Sequence, residues 1–218
     1  MNKFKAVIYD MDGLLVDSMI HWIELDKELF SQIDFELTED TIKYLTGRSV
    51  EEGMAWLKEK FNIDQPIDDL FVFRNKRIEE LYQKKTKIMP GVVDLIRNIK
   101  KEKIKQAIAS GAPLDSVKLV VGRFGWHEYF DELVSADHVN FVGKPDPRIY
   151  LYTAERLQVK PEDCLVFEDA ENGVVSAKRA GMTCIAVPDK RWSFGDFSQA
   201  DLVVDSLEDK KISKYLGL

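Results

Sequence analysis

Short apolar runs recur along the chain, and most of them end at polar residues or glycine. Such runs are typical of the buried strands of a parallel sheet. They predict strands at residues 5–10, 104–109, 133–135, 164–167, 183–187 and 202–204. Apolar positions at helical spacing separate these runs and predict helices at residues 92–100, 113–121, 147–157 and 172–180. This alternation predicts an α/β fold, a doubly wound, Rossmann-like parallel sheet with helices on both faces.

Residues 18–87 show helical patterns and no convincing strand. Thr38 is followed by two acids, which favours a helix start. Ser49 opens a capping box with Glu52, and apolar residues at helical spacing follow it. A further helical segment is predicted around Leu70 and Phe71. Since this stretch is too long for a crossover, we expect a helical insertion. The predicted division is a core of residues 1–17 and 89–218 and a helical cap of residues 18–88.

The end of the first predicted strand carries two carboxylates and a glycine, Asp10, Asp12 and Gly13. In a continuing strand, residues two apart point to the same face, so the carboxylates would repel each other. A raised pKa or a bound cation would offset this repulsion. The alternative is a polar strand end followed by a turn. In an open parallel sheet, however, the carboxyl edge is where ligands bind.

Other polar residues follow later strands and are expected at the same edge. Ser110 ends the second predicted strand, and Glu168 and Asp169 end the fourth. Lys144 stands between a glycine and a proline, just before a predicted helix. Each has an ordinary explanation as a turn or surface residue. Together, several carboxylates, a hydroxyl and an ammonium suit Mg²⁺ and a phosphoryl group, since Mg²⁺ takes oxygen ligands.

Composition and charge narrow the function classes. The chain has 218 residues and a net charge of −7, which argues against a broad nucleic-acid-binding surface but not against a small anionic substrate. Cys164 and Cys184 lie in apolar runs, so we expect buried thiols rather than a disulfide. No apolar run is long enough for a membrane span or a secretory leader. We therefore expect a monomer in a reducing cytoplasm that binds neither membrane nor nucleic acid.

Four sequence motifs occur in a characteristic order: DMDGLLVDS, IASGAP, VGKPDPRIY and FEDAENGVVSAKRAG. With these motifs in this order, the chain resembles the haloacid dehalogenase superfamily. Within that superfamily it resembles the phosphatases and phosphomutases that have a helical cap after the first strand. The resemblance implies that Asp10 is the nucleophile and forms an aspartyl-phosphate. It implies that Asp12 is the general acid and then the general base. Ser110 would hydrogen-bond the phosphoryl oxygens, and Lys144 would neutralise them and orient Asp10.

The same resemblance implies the metal site. Asp10, Asp169 and the backbone carbonyl of Asp12 would hold Mg²⁺, and Glu168 would support them. Dehalogenases of the superfamily lack the second aspartate of the first motif, so the presence of Asp12 argues against dehalogenation.

Three further residues are candidates for substrate contact. Gly111 follows Ser110 where many relatives carry further hydroxyls, so fewer side-chain donors would reach the phosphate. Arg48 stands in a predicted loop at a helix start, where an arginine and free amides suit an anion. Trp22 occupies the position at which relatives of the mutase type carry a histidine, while His21 is one residue away and points elsewhere on a helix.

The expected function is therefore a Mg²⁺-dependent phosphatase of a small phosphorylated metabolite, such as a sugar or nucleoside phosphate. The alternative within the family is a β-phosphoglucomutase-type sugar phosphomutase. From another class, the same fold could serve as a non-catalytic phosphate-binding module, because fold does not imply function.

Overall fold

The fold is built around one parallel sheet. A computed structural model describes residues 4–31, 38–46, 48, 50–61 and 77–217. The strands of these residues are β1 (Ala6–Tyr9), β2 (Lys105–Ser110), β3 (Glu132–Ser135), β4 (Cys164–Glu168), β5 (Thr183–Ala186) and β6 (Leu202–Val203). Their spatial order is β3-β2-β1-β4-β5-β6, and every pairing is parallel. The first strand therefore lies inside the sheet, between β2 and β4, where the strand order reverses.

Most of the other regular elements in the described residues are α-helices. They are α1 (Met19–Ser31), α2 (Glu39–Leu45), α3 (Val50–Phe61), α4 (Val92–Lys101), α5 (Leu114–Phe124), α6 (Arg148–Leu157), α7 (Glu171–Arg179) and α8 (Lys210–Leu216). Residues 77–80 are also helical and lead into a π-helical turn, Leu81–Lys85. Short 3₁₀ turns occur at Ala136–Val139 and Pro161–Asp163.

Alternate residues of β1 face two different hydrophobic clusters. Val7 and Tyr9 pack with buried residues of α4, α5 and α8, and Ala6 and Ile8 pack with those of α6 and α7. All four residues of β1 are fully buried. A strand buried on both faces needs an apolar run rather than an alternating one, which is what the sequence provides. The predicted fold class, a parallel sheet covered by helices on both faces, is confirmed.

Several predicted element ends are wrong by a few residues. Helix α5 continues past the predicted end at residue 121 to Phe124, because Gly125 adopts the left-handed conformation, with φ of 69°, that ends it. Pro147 is the N-cap residue of α6 rather than its first helical residue, so that helix starts at Arg148. Helix α7 begins at Glu171 rather than at the predicted Asn172.

Between Met19 and Lys85 most of the described residues are helical. Thr38 caps α2 as predicted, since its hydroxyl accepts a hydrogen bond from the amide of Thr41. Ser49 and the predicted helical segment around Leu70 and Phe71 lie outside the described residues. The division of the chain into core and cap at residues 17 and 89 stays a prediction.

The two linkers that join this segment to the sheet are paired with each other. Val16 and Ile88 form an antiparallel bridge. The amide of Asp17 donates to the carbonyl of Lys87 at 3.0 Å, and the amide of Lys87 donates to the Asp17 carboxylate at 2.5 Å. The two ends of the helical segment therefore lie side by side, directly after β1.

Two predictions from composition can also be compared with the structure. Cys164 and Cys184 are buried free thiols, as expected. Among the helices of the described ranges, none combines the length and the apolar character needed to cross a membrane.

Candidate active site

The carboxyl ends of three neighbouring strands bring distant residues together. Asp10 follows β1, Ser110 ends β2 and Glu168 ends β4. The parallel register pairs Tyr9 with residues of both neighbouring strands, and the amide of Asp10 continues the ladder by donating to the carbonyl of Phe167 at 3.1 Å. Since β1 is the point at which the strand order reverses, this edge is where an open α/β sheet binds its ligand.

Lys144 is the buried cation at the centre of the site. Its Nζ donates to Oδ1 of Asp10 at 2.5 Å, to Oε1 of Glu168 at 2.6 Å and to the carbonyl of Ala109 at 3.2 Å. The residue is 1% exposed. An ammonium has three protons to donate, and here each has an acceptor, so its position is fixed.

Glu168 is fully hydrogen-bonded on both oxygens. Oε1 accepts from Lys144 and from the hydroxyl of Tyr150 at 2.5 Å, and Oε2 accepts from the amides of Asp169 and Ala170 at 3.1 and 3.3 Å. A side chain at Gly173 would overlap this carboxylate, so α7 can approach it only with glycine there. Glu168 therefore orients the ammonium of Lys144.

Three carboxylates form a buried cluster that can hold a metal ion. Carboxylate oxygens of Asp10, Glu168 and Asp169 lie within 4.8 Å of one another. The indole N–H of Trp192 donates to Oδ2 of Asp169 at 3.2 Å. Within the described residues, this cluster pairs three carboxylates with one ammonium, that of Lys144. The surplus negative charge must be balanced by protons or by a bound cation, and oxygen ligands suit a divalent one.

The pKa values follow from this balance of charge. Burial raises the pKa of Asp10 to about 8, and the carboxylates of Glu168 and Asp12 add to the effect although Lys144 opposes it. Burial also raises the pKa of Asp169 well above its usual range. For Lys144, burial lowers the pKa, but the carboxylates of Asp10 and Glu168 outweigh it and the pKa is raised. Lys144 is therefore a permanent cation, while Asp10 and Asp169 keep their protons to higher pH than ordinary aspartates do.

The carboxylate of Asp12 is turned away from this cluster, towards the helical segment. Its Oδ1 accepts from the hydroxyls of Ser18 and Tyr82 at 2.5 and 2.6 Å and from the indole N–H of Trp22 at 3.3 Å. Its Oδ2 lies 3.4 Å from Oγ of Ser110. Asp10 and Asp12 are thus two residues apart in sequence but have different electrostatic surroundings.

The remaining predicted residues lie around this centre. Ser110 is buried and its hydroxyl accepts from the amide of Ala112 at 3.1 Å, while Gly111 between them is half-buried. Trp22 is 8% exposed and contacts Asp12, as described. The structure thus brings Ser110 and Trp22 to Asp12.

Arg48 contacts two residues of the helical segment between β1 and β2, Tyr44 and Glu52. Its Nε donates to the carbonyl of Tyr44 at 2.9 Å, its guanidinium lies over the Tyr44 ring, and Nη1 is 3.8 Å from Oε2 of Glu52. The same Glu52 oxygen accepts from the amide of Gly143 at 3.0 Å. Arg48 is therefore linked through one carboxylate to the loop that carries Lys144.

Sequence reasoning missed four residues that contact the site. Ser18 and Tyr150 lie inside the quoted motifs, so their positions carried a signal that went unused. Tyr82 and Trp192 stand alone in segments without a motif, and only the folded chain brings them to Asp12 and Asp169.

Comparisons with known proteins agree with this geometry. The family model described as haloacid dehalogenase-like hydrolase matches residues 7–187. A phosphorylated carbohydrates phosphatase of Thermotoga maritima is 34% identical over 178 residues, which are 82% of this chain and 82% of that protein. A β-phosphoglucomutase of Bacillus subtilis is 31% identical, and the match covers 94% of this chain and 91% of that protein. The crystal structure of CbbY from Rhodobacter sphaeroides in complex with phosphate is 28% identical with a TM-score of 0.81, covering 94% of this chain and 96% of that one.

Proposed function

Because the chain belongs to the haloacid dehalogenase-like hydrolase family, we propose that it is a Mg²⁺-dependent phosphatase that uses Asp10 as its nucleophile. The proposed substrates are small phosphorylated metabolites, such as sugar or nucleoside phosphates. Relatives that are named phosphatases support the reaction class. The protein is proposed to act as a monomer in the cytoplasm, with no nucleic-acid or membrane partner.

One observation carries the proposal, which is the difference between the surroundings of Asp10 and Asp12. Asp10 is held by the buried ammonium of Lys144 inside a cluster that can bind a metal. Asp12 is held by neutral donors on the side of the helical segment. Two carboxylates in unlike environments can take different roles, one as nucleophile and the other as acid and base.

The proposed reaction has two steps. A carboxylate oxygen of Asp10 attacks phosphorus, the bond to the leaving oxygen breaks, and Asp12 donates a proton to that oxygen. Asp12 then takes a proton from water, which attacks the aspartyl-phosphate and releases inorganic phosphate, so that Asp10 is restored. Ser110 hydrogen-bonds the phosphoryl oxygens, and Lys144 neutralises their charge and orients Asp10, since positioning and charge stabilisation dominate phosphoryl transfer.

The residues present fit a divalent metal. Asp10, Asp169 and the backbone carbonyl of Asp12 would hold it, and Glu168 would support the site through Lys144 and the amide of Asp169. Bound Mg²⁺ supplies positive charge that lets a carboxylate approach an anionic phosphoryl group. The surplus of buried carboxylates over ammonium groups in the described cluster supports this assignment.

A phosphomutase is the second candidate, because a β-phosphoglucomutase is among the relatives. Mutase chemistry keeps the aspartyl-phosphate from water and transfers it to a second hydroxyl of the bound sugar phosphate. Relatives that do this carry a histidine where this chain has Trp22. An indole N–H can donate a hydrogen bond but cannot exchange protons near neutral pH. The contact of Trp22 with Asp12 therefore favours hydrolysis.

Asp10→Asn tests the proposal. The substitution preserves shape but removes the nucleophilic oxygen, so Mg²⁺-dependent phosphate release from p-nitrophenyl phosphate should fall roughly a thousandfold or more. Asp115→Asn is the matched control, because the Asp115 side chain is 97% exposed and should keep its rate. An acid-stable phosphorylated protein should be trapped from the wild type and not from Asp10→Asn. Near-normal turnover by Asp10→Asn would show that the assignment is wrong.

A further inference from the structure

Tyr82 reaches Asp12 from the far end of the helical segment. It is fully buried, and its hydroxyl donates to Oδ1 of Asp12 at 2.6 Å, although the two residues are 70 positions apart. A phenol that donates to a carboxylate forms a charge-assisted hydrogen bond, which is stronger than one between neutral groups. Tyr82 is therefore a strong and specific contact of Asp12.

A π-helical turn sets the direction of Tyr82. The turn comprises Leu81–Lys85, and the amide of Thr86 closes it by donating to the carbonyl of Leu81 at 3.2 Å. A π-helical turn has more residues per turn than an α-helix, so it changes the direction in which the following side chains point. Single π-helical turns inside helices are rare and are frequent at functional sites. Here the turn contains Tyr82, one of the residues that contact Asp12.

An arginine on the sheet side holds this turn in place. Nη1 of Arg123, on α5, donates to the carbonyl of Tyr82 at 2.5 Å and to the hydroxyl of Thr86 at 2.7 Å. The Thr86 hydroxyl in turn donates to the carbonyl of Tyr82 at 3.3 Å. The Tyr82 ring packs edge-on against Trp22, with 6.1 Å between the ring centroids. Both the backbone and the ring of Tyr82 are thus fixed.

The three donors to Oδ1 leave the other oxygen of Asp12 for chemistry. An indole N–H can only donate, and the hydroxyls of Ser18 and Tyr82 complete the set around Oδ1. Oδ2 instead accepts one longer hydrogen bond, at 3.4 Å, from the hydroxyl of Ser110, which is itself proposed to bind the phosphoryl group. We propose that Tyr82 is a positioning residue, whose hydroxyl holds Oδ1 of Asp12 so that Oδ2 faces the leaving oxygen of the substrate. This inference rests on the proposed phosphatase reaction.

Leaving-group dependence tests this role. An alkoxide needs a proton to leave, whereas p-nitrophenolate leaves without one near neutral pH, so only alkyl phosphates depend on a well-placed acid. Tyr82→Phe removes the hydroxyl alone. Its kcat/KM for an alkyl phosphate such as glycerol phosphate should fall about tenfold or more, while that for p-nitrophenyl phosphate should change less than about threefold. Asp12→Asn should show the same selectivity with a larger loss.

Tyr9→Phe is the matched control. Tyr9 is also fully buried, and its hydroxyl donates to Gln106 at 2.8 Å rather than to Asp12. This variant should lose stability without changing the ratio of the two rates. If Tyr82→Phe does not fold, Arg123→Lys loosens the same turn and should shift the ratio in the same direction.

The outcomes separate this inference from the proposed function. Equal losses on both substrates, or no loss on either, would overturn the role of Tyr82 while Asp10→Asn remained inactive. If Asp10→Asn is active on both substrates, the proposed function itself fails. Selective loss on the alkyl phosphate alone supports the positioning role.

Discussion

Replacing the ionisable carboxyl group of Asp10 with an amide should stabilise the metal-free protein. The carboxyl group is buried, with its side chain 9% exposed, and it belongs to a cluster in which carboxylates outnumber the ammonium of Lys144. Asp10→Asn keeps the shape of the side chain and cannot ionise. The variant that abolishes the proposed reaction is therefore expected to unfold at higher denaturant concentration than the wild type when metal is chelated.

The size of the effect follows from the pKa. Burial raises the pKa of Asp10 to about 8 in the folded chain, from an ordinary value of 3.8. Between these values the unfolded chain releases the proton and the folded chain keeps it, so the stability of the wild type falls as pH rises. At about pH 7, roughly three pH units above the ordinary value, the difference amounts to about 4 kcal/mol, since each pH unit in this window contributes about 1.4 kcal/mol. This is an upper bound for the gain in Asp10→Asn.

Urea denaturation followed by circular dichroism measures the difference in free energy of unfolding between Asp10→Asn and the wild type. In EDTA, the advantage of Asp10→Asn should grow from near zero at about pH 4 to several kcal/mol at about pH 8. In saturating Mg²⁺ the wild type should instead be more stable than Asp10→Asn, because a ligand stabilises only the protein that binds it. The exposed Asp115→Asn should show no pH-dependent gap. If Asp10→Asn is instead less stable in EDTA at every pH, Asp10 is ionised and its pair with Lys144 outweighs burial.

Two further predictions concern substrate. Arg48→Ala should raise KM for the natural substrate more than for p-nitrophenyl phosphate, because the guanidinium lies in the helical segment and is linked through Glu52 to the Lys144 loop. Equal effects on both substrates in steady-state kinetics would contradict a role of Arg48 in recognising the rest of the metabolite. Incubation with β-glucose 1-phosphate, Mg²⁺ and a trace of the corresponding bisphosphate should release inorganic phosphate faster than glucose 6-phosphate forms, since Trp22 cannot exchange protons as a histidine does. Faster formation of glucose 6-phosphate in a coupled assay would favour the phosphomutase.

The sheet and the acid cluster were predictable because they depend on local patterns. A strand buried on both faces needs an apolar run, and the parallel topology then brings the ends of such runs to one edge. Asp10, Glu168 and Asp169 could therefore be grouped from their positions at strand ends, whereas the role of Lys144 came from the family resemblance. The helix ends were less predictable: α5 runs on to Phe124 because its end is set by the left-handed Gly125 rather than by the last apolar position.

The surroundings of Asp12 were not predictable from the sequence. Tyr82 lies in a helical segment, where an aromatic residue is normally a packing residue, and nothing local marks its hydroxyl as a donor. Its direction depends on a π-helical turn that is held by Arg123, from a helix that follows β2. Trp192 likewise reaches Asp169 through tertiary packing. Such contacts depend on the folded chain as a whole.

The pairing of the two linkers has a consequence for how such a protein can diversify. Val16 and Ile88 form a bridge, and Asp17 and Lys87 are joined by two hydrogen bonds. The distance between the start and the end of the helical segment is therefore set beside β1 and not by the residues between them. Closing a longer loop costs only about 0.6 kcal/mol for each doubling of its length. Insertions, deletions and substitutions in the intervening residues can therefore accumulate without shifting the strand register that places Asp10. One stretch of the gene can therefore vary while the proposed catalytic residues, which are encoded on either side of it, stay unchanged.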